Sequence, residues 1–116
     1  MDIYHIWFDL KPGTSDTQFV ERLNAYLGRL VADEKIHCFR VMRKKLGLGP
    51  AELGDFHVTI EVTDLAALDQ AFNYVARRAG EVEGLHAAVN QLVQNARFAL
   101  YRDFPDPVRE RGEERF

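Results

Sequence analysis

Apolar and polar residues alternate over Ile3-Tyr4-His5-Ile6-Trp7-Phe8-Asp9-Leu10 and again over Asp55-Phe56-His57-Val58-Thr59-Ile60-Glu61-Val62. Successive side chains of a strand point to opposite faces, so a period of two predicts two strands with one core face each. Ile6, Phe8, Leu10, Phe56, Val58, Ile60 and Val62 form the apolar set; His5, Trp7, Asp9, His57, Thr59 and Glu61 form the other. A sheet with histidines, a carboxylate and an indole on its second face opens to water, pairs with another sheet or surrounds a ligand.

Between these strands the period changes. Lys11-Pro12-Gly13 marks a turn, and Ser15-Asp16-Thr17-Gln18 has the form of a capping box. Phe19, Val20, Leu23, Leu27, Leu30 and Val31 then recur with helical spacing up to Asp33-Glu34. Gly28 lies within this helix, where glycine costs up to about 1 kcal/mol against alanine; a close approach of helix to sheet is the expected reason. Residues 36–42 read as a second strand and Gly47 to Pro50 as a loop. Thr63 or Asp64 is expected to cap a second helix with Leu65, Leu68, Phe72 and Val75 inward and Gly80 as its stop. Residues 84–93 read as a short third helix and 96–101 as a last strand with Ala96, Phe98 and Leu100 on its core side.

The order is a ferredoxin-like βαββαβ arrangement of the α+β class, with an antiparallel four-stranded sheet. Right-handed crossovers place the first and third strands centrally and the fourth and second at the edges. The helices then cover the Phe8/Val58 face, and the His5/His57 face has no cover from its own chain. A second copy is the simplest cover, giving a homodimeric α/β barrel. The domain is expected over residues 1–104, followed by a charged tail over 105–116. Pro105 and Pro107 favour extended chain suited to crossing onto a partner, while the charge from Arg109 onward equally suits disorder beyond 108.

Composition narrows the setting. A chain of 116 residues, 47% hydrophobic and 28% charged, is an ordinary globular domain without low complexity. A net charge of -3 argues against a dedicated nucleic-acid partner, which needs excess Lys and Arg to meet phosphates. No apolar run approaches the roughly 18 residues of a membrane helix. The sole cysteine, Cys38, forms no internal disulfide, and the start of the chain has no signal-peptide pattern, so a cytoplasmic location is expected.

The candidate site is a pocket between sheet and helices or between two paired sheets, and the polar His5/His57 sheet face is the expected lining. His5, His57 and His86 are the candidate catalytic residues, since imidazole exchanges protons near neutrality. Trp7, Arg40, Thr59, Glu61, Arg97 and Tyr101 are candidate ligand contacts, and Arg97 is expected to meet Glu61, Asp9 or a ligand carboxylate. An indole wall with a cation at one end suits a small amphipathic or apolar molecule. The same histidines with Glu61 offer metal-ligand chemistry, but no His-x-His or His-x-x-x-His pair exists, so no metal site and no cofactor are expected. His37 reads as a solvated edge residue, and Arg40, Arg43, Lys44 and Lys45 as edge-strand protection. A face filled entirely by a partner chain, without ligand, remains the third reading.

Ile3-Tyr4-His5-Ile6-Trp7-Phe8-Asp9-Leu10-Lys11, Phe56-His57-Val58-Thr59-Ile60-Glu61-Val62 and Leu85-His86-Ala87-Ala88-Val89 together resemble the stress-responsive dimeric α/β-barrel domains over about residues 1–103. The Leu46-Gly47-Leu48-Gly49-Pro50 loop and the Asp-Phe-Pro-Asp-Pro tail are similar to an uncharacterised bacterial subfamily of these barrels. The resemblance implies a dimeric barrel. Some such barrels are cofactor-free polyketide cyclases of the olivetolic acid cyclase type, and others are cofactor-independent monooxygenases. A cyclase-like role implies His86 as the base beside a carbonyl, with His5 or His57 orienting it or holding the oxyanion. The chain departs from the family's His-Pro-x-His at Gly84-Leu85-His86-Ala87-Ala88.

Overall fold

The computed structural model describes residues 1–112 and contains β1 (Asp2–Leu10), α1 (Asp16–Ala32), β2 (Cys38–Arg43), β3 (Phe56–Val62), α2 (Leu65–Ala76), α3 (Gly80–Asn90) and β4 (Val93–Arg102). The strands form one antiparallel sheet in the order β2-β3-β1-β4, the ferredoxin-like arrangement expected from the alternation. Trp7 lies opposite His57, and His5 opposite Thr59, so the polar positions of β1 and β3 share one face. Phe8, Phe56, Val58, Ile60 and Val62 are buried on the other face with Phe19, Leu23, Leu27 and Leu30 of α1.

Local signals explain the helix ends. Ser15 Oγ accepts from the Gln18 amide at 3.3 Å, and the Asp64 carboxylate accepts from the Ala67 amide at 2.8 Å, each satisfying an orphan donor of a first turn. Asp33 caps the far end of α1 and accepts from both Arg29 Nε (2.8 Å) and the Tyr74 hydroxyl (2.5 Å), tying α2 to α1. Arg29 also meets Glu81 at 2.6 Å, which holds α3 alongside α1.

Several expectations are corrected. Gly80 does not stop α2: the helix ends at Ala76, Arg78 takes a positive φ of 52°, and Gly80, with φ 68°, opens α3. The third helix therefore starts before residue 84, and β4 begins at Val93 rather than Ala96. Gly28 marks no close approach, since a Cβ there would meet nothing within 4 Å. The close approach is at Gly54, where a Cβ would stand 2.3 Å from the Phe8 carbonyl carbon and oxygen. Leu65 is exposed, Phe72 is 47% exposed and Phe98 59%, because β4 and the near side of α2 extend past the helical cover. The tail is described as far as Gly112, with Asp106 paired to Arg102 at 3.2 Å and the Arg109 guanidinium 5.2 Å over the Phe104 ring. The rest of the expected charged tail, 113–116, lies outside the described residues.

Candidate functional site

All sequence-selected site residues except His86 share the sheet face that the helices leave open. Register aligns Arg40 with Thr59 and His5, Glu61 with Ile3, Arg97 with Trp7, and Tyr101 with Ile3. His5 Nδ1 and His57 Nε2 are 2.9 Å apart, so one ring donates and the other accepts. Trp7 stacks on His57 at 4.5 Å, and Tyr101 meets His5 edge-on at 4.7 Å. Burial lowers both histidine pKa values, and the neighbouring His5 lowers that of His57 further. The pair is thus built to be neutral. Arg97 is exposed and pairs with neither Glu61 nor Asp9 among the described residues. Asp9 is instead occupied by the Asp55 amide at 2.9 Å and Asn95 Nδ2 at 3.4 Å, beside the bulge between β1 and β4.

His86 lies on the opposite side of the sheet. It projects from α3 into an apolar cavity of about 460 Å3 between sheet and helices, walled by residues such as Ile6, Leu23, Val58, Leu68, Ala71 and Val89. The three histidines proposed for one centre are therefore divided by the sheet. The reason is parity: residues 5 and 57 point away from the core, whereas α3 packs on the core side. His86 Nδ1 faces Glu83 Oε2 at 4.0 Å, one helical turn away, and neither buried atom has a hydrogen-bond partner among the described residues. Arg78 Nη1 stands 3.8 Å from the other Glu83 oxygen. The Tyr26 ring packs 5.4 Å from His86. Burial, reinforced by Glu83, pushes the Tyr26 phenol up to about 12, and burial also raises Tyr4 at the cavity wall. Both phenols are therefore neutral donors at ordinary pH.

Phe72 and Phe98 flank Tyr4, at 5.3 and 5.9 Å between ring centroids, and form the exposed mouth of this cavity. A second hollow of about 540 Å3 at the β1–α1 turn is an open polar cleft with Asp9, Lys11, Asp16, Arg43 and Asp55, where Arg43 already pairs with Asp16 at 3.1 Å. Its walls offer little apolar burial, so it is the weaker ligand site.

Sequence reading passed over Tyr4, Tyr26 and Glu83. The signals were present: Tyr26 falls on the Leu23/Leu27/Leu30 stripe, and Glu83 precedes His86 by the three residues that share a helix face. Tyr4 had the parity of Ile6 and Phe8.

A family model described as a family of unknown function, DUF6614, matches residues 1–116. No curated protein matches the chain in sequence. Among solved structures, a mutant of SnoaB from Streptomyces nogalater, described as a cofactor-independent oxygenase, is 9% identical with a TM-score of 0.68, covering 93% of this chain and 97% of its own. At3g17210 from Arabidopsis thaliana is 10% identical with a TM-score of 0.72, covering 93% and 100%. A dimeric ferredoxin-like protein of unknown function from Thermobifida fusca is 15% identical with a TM-score of 0.61, covering 87% and 90%. At such identities the likeness is one of fold.

Proposed function

Because the chain belongs to the DUF6614 family of unknown function, its activity must be argued from its own cavity, and we propose that it binds a small apolar or amphipathic organic molecule between sheet and helices. The observation that carries this reading is the apolar cavity of about 460 Å3 with the half-buried His86 imidazole in its wall, its Nδ1 shielded from solvent. That volume is in the range of ordinary small-molecule pockets, and an apolar wall with few convergent polar groups suits a molecule with one polar end. The site thus moves from the expected His5/His57 face to the helical side.

The open sheet face takes a different role in this proposal. His5, Trp7, His57 and Tyr101 form a ring cluster that a second copy would cover, and dimeric neighbours with the same fold support that arrangement.

Native mass spectrometry of the full chain, followed by denaturing extraction, tests the binding. A bound small molecule is expected in the native protein and absent after Ala71→Phe, which fills the cavity from the buried Ala71 position. An empty native protein that also fails to bind apolar fluorescent probes would sink the reading.

A second reading, cofactor-free proton transfer, is favoured by one further observation: His86 Nδ1 and Glu83 Oε2 are buried without hydrogen bonds. With Nδ1 turned toward Glu83, Nε2 is the nitrogen left to take a proton from carbon next to a carbonyl. Neutral Tyr26 or Tyr4 would donate to the developing enolate oxygen. The description of SnoaB as a cofactor-independent oxygenase is compatible with such chemistry. Solvent deuterium should enter the carbon beside the carbonyl of a bound ketone, and His86→Leu should stop it. Undiminished exchange in that variant would remove His86 from the chemistry.

A further inference from the structure

We propose that His37, Cys38 and Glu61 bind one zinc ion at the β2–β3 edge of the sheet, apart from the helical cavity. The donor atoms of the three residues all lie within 4.8 Å of one another. They combine imidazole, thiol and carboxylate, a donor set that zinc accepts. Zinc bonds of about 2.0 to 2.3 Å in a tetrahedron place ligand atoms roughly 3.5 Å apart, so small side-chain rotations bring all three into place.

The backbone already fixes this arrangement. Cys38 and Glu61 are direct cross-strand partners, and the His37 amide donates to the Glu61 carbonyl at 2.8 Å. Cys38 Sγ donates its proton to Glu61 Oε2 at 2.6 Å, the contact a cation would replace. Binding releases that proton to solvent. A thiolate, a carboxylate and a neutral imidazole then leave a divalent ion with no net charge at the site. Three protein ligands also leave a fourth position open for water or a further donor.

Adjacent residues of a strand normally face opposite ways, which hides the cluster in the sequence. His37 escapes that rule because it precedes the first residue of β2, Cys38.

The test is titration of the full chain with cobalt alone, read as thiolate-to-cobalt charge-transfer absorption, and with zinc alone by calorimetry. One equivalent per chain is expected. Cys38→Ser should abolish the absorption band, and His37→Ala or Glu61→Gln should weaken zinc binding at least about ten-fold. His86→Leu should leave zinc affinity unchanged. No charge-transfer band, or zinc affinity indifferent to His37→Ala, would overturn the proposal. His37 is exposed and outside the core, so that variant keeps the test decisive even if a strand substitution disturbs folding.

Discussion

His5 and His57 share a single hydrogen bond between two ring nitrogens, 2.9 Å apart, which a second proton would turn into a repulsion. Both pKa values are lowered, chiefly by burial. The unfolded chain therefore binds more protons than the folded one on the acid side of the ordinary histidine value, about 6.5. Stability from this pair is complete above that value and is lost as pH falls through the lowered folded values. The melting temperature should drop between about pH 7.5 and pH 5, and His57→Gln should flatten that dependence. Imidazole NMR titration gives the direct reading: midpoints at or above about 6.5 would contradict this account.

His86 makes the opposite case, a polar group held where stability does not reward it. Its Nδ1 is buried without a hydrogen bond, a condition costing about 1 to 3 kcal/mol. His86→Leu removes that cost with similar volume, so urea denaturation should show stability raised by about 1 kcal/mol while proton exchange on a carbonyl ligand disappears. A destabilised His86→Leu would mean that the ring contributes packing, through Tyr26, that leucine cannot replace.

At the level of elements, two glycines separate what a sequence shows from what it hides. Gly28 is conspicuous inside the α1 stripe, yet nothing lies within 4 Å of a Cβ at that position; Gly28→Ala should stabilise the chain by about 0.5 to 1 kcal/mol. Gly54 sits in an unremarkable loop, yet a Cβ there would stand 2.3 Å from the Phe8 backbone. Gly54→Ala should destabilise by about 1 to 3 kcal/mol, read from the denaturation midpoint. The strands β1 and β3 and the helix α1 were legible because periods of two and 3.6 are written in consecutive residues. The α2–α3 junction was not. Gly80 does supply a left-handed conformation, but Arg78 takes one as well, and which helix a left-handed residue belongs to depends on tertiary packing. The same distinction governs the site. Parity placed His5, Trp7, His57, Thr59, Glu61, Arg97 and Tyr101 on one face correctly, whereas His86 required knowing on which side of the sheet α3 packs.

The whole molecule is a flat body of 52 × 38 × 18 Å with different chemistry on its two sides. The helical side encloses a cavity within a single chain, and the open side carries aromatic rings suited to a second copy. If these roles are separate, they fail separately. Trp7→Glu places a carboxylate among the rings of the proposed interface, where an unpaired buried charge costs several kcal/mol. It should convert a particle of two 13.3 kDa chains into single chains in sedimentation, yet keep the extractable ligand, because Trp7 does not line the cavity. Ala71→Phe should do the reverse, losing ligand while staying paired. Ligand loss in the Trp7→Glu single chains would show that the pocket on the helical side depends on pairing through the opposite face.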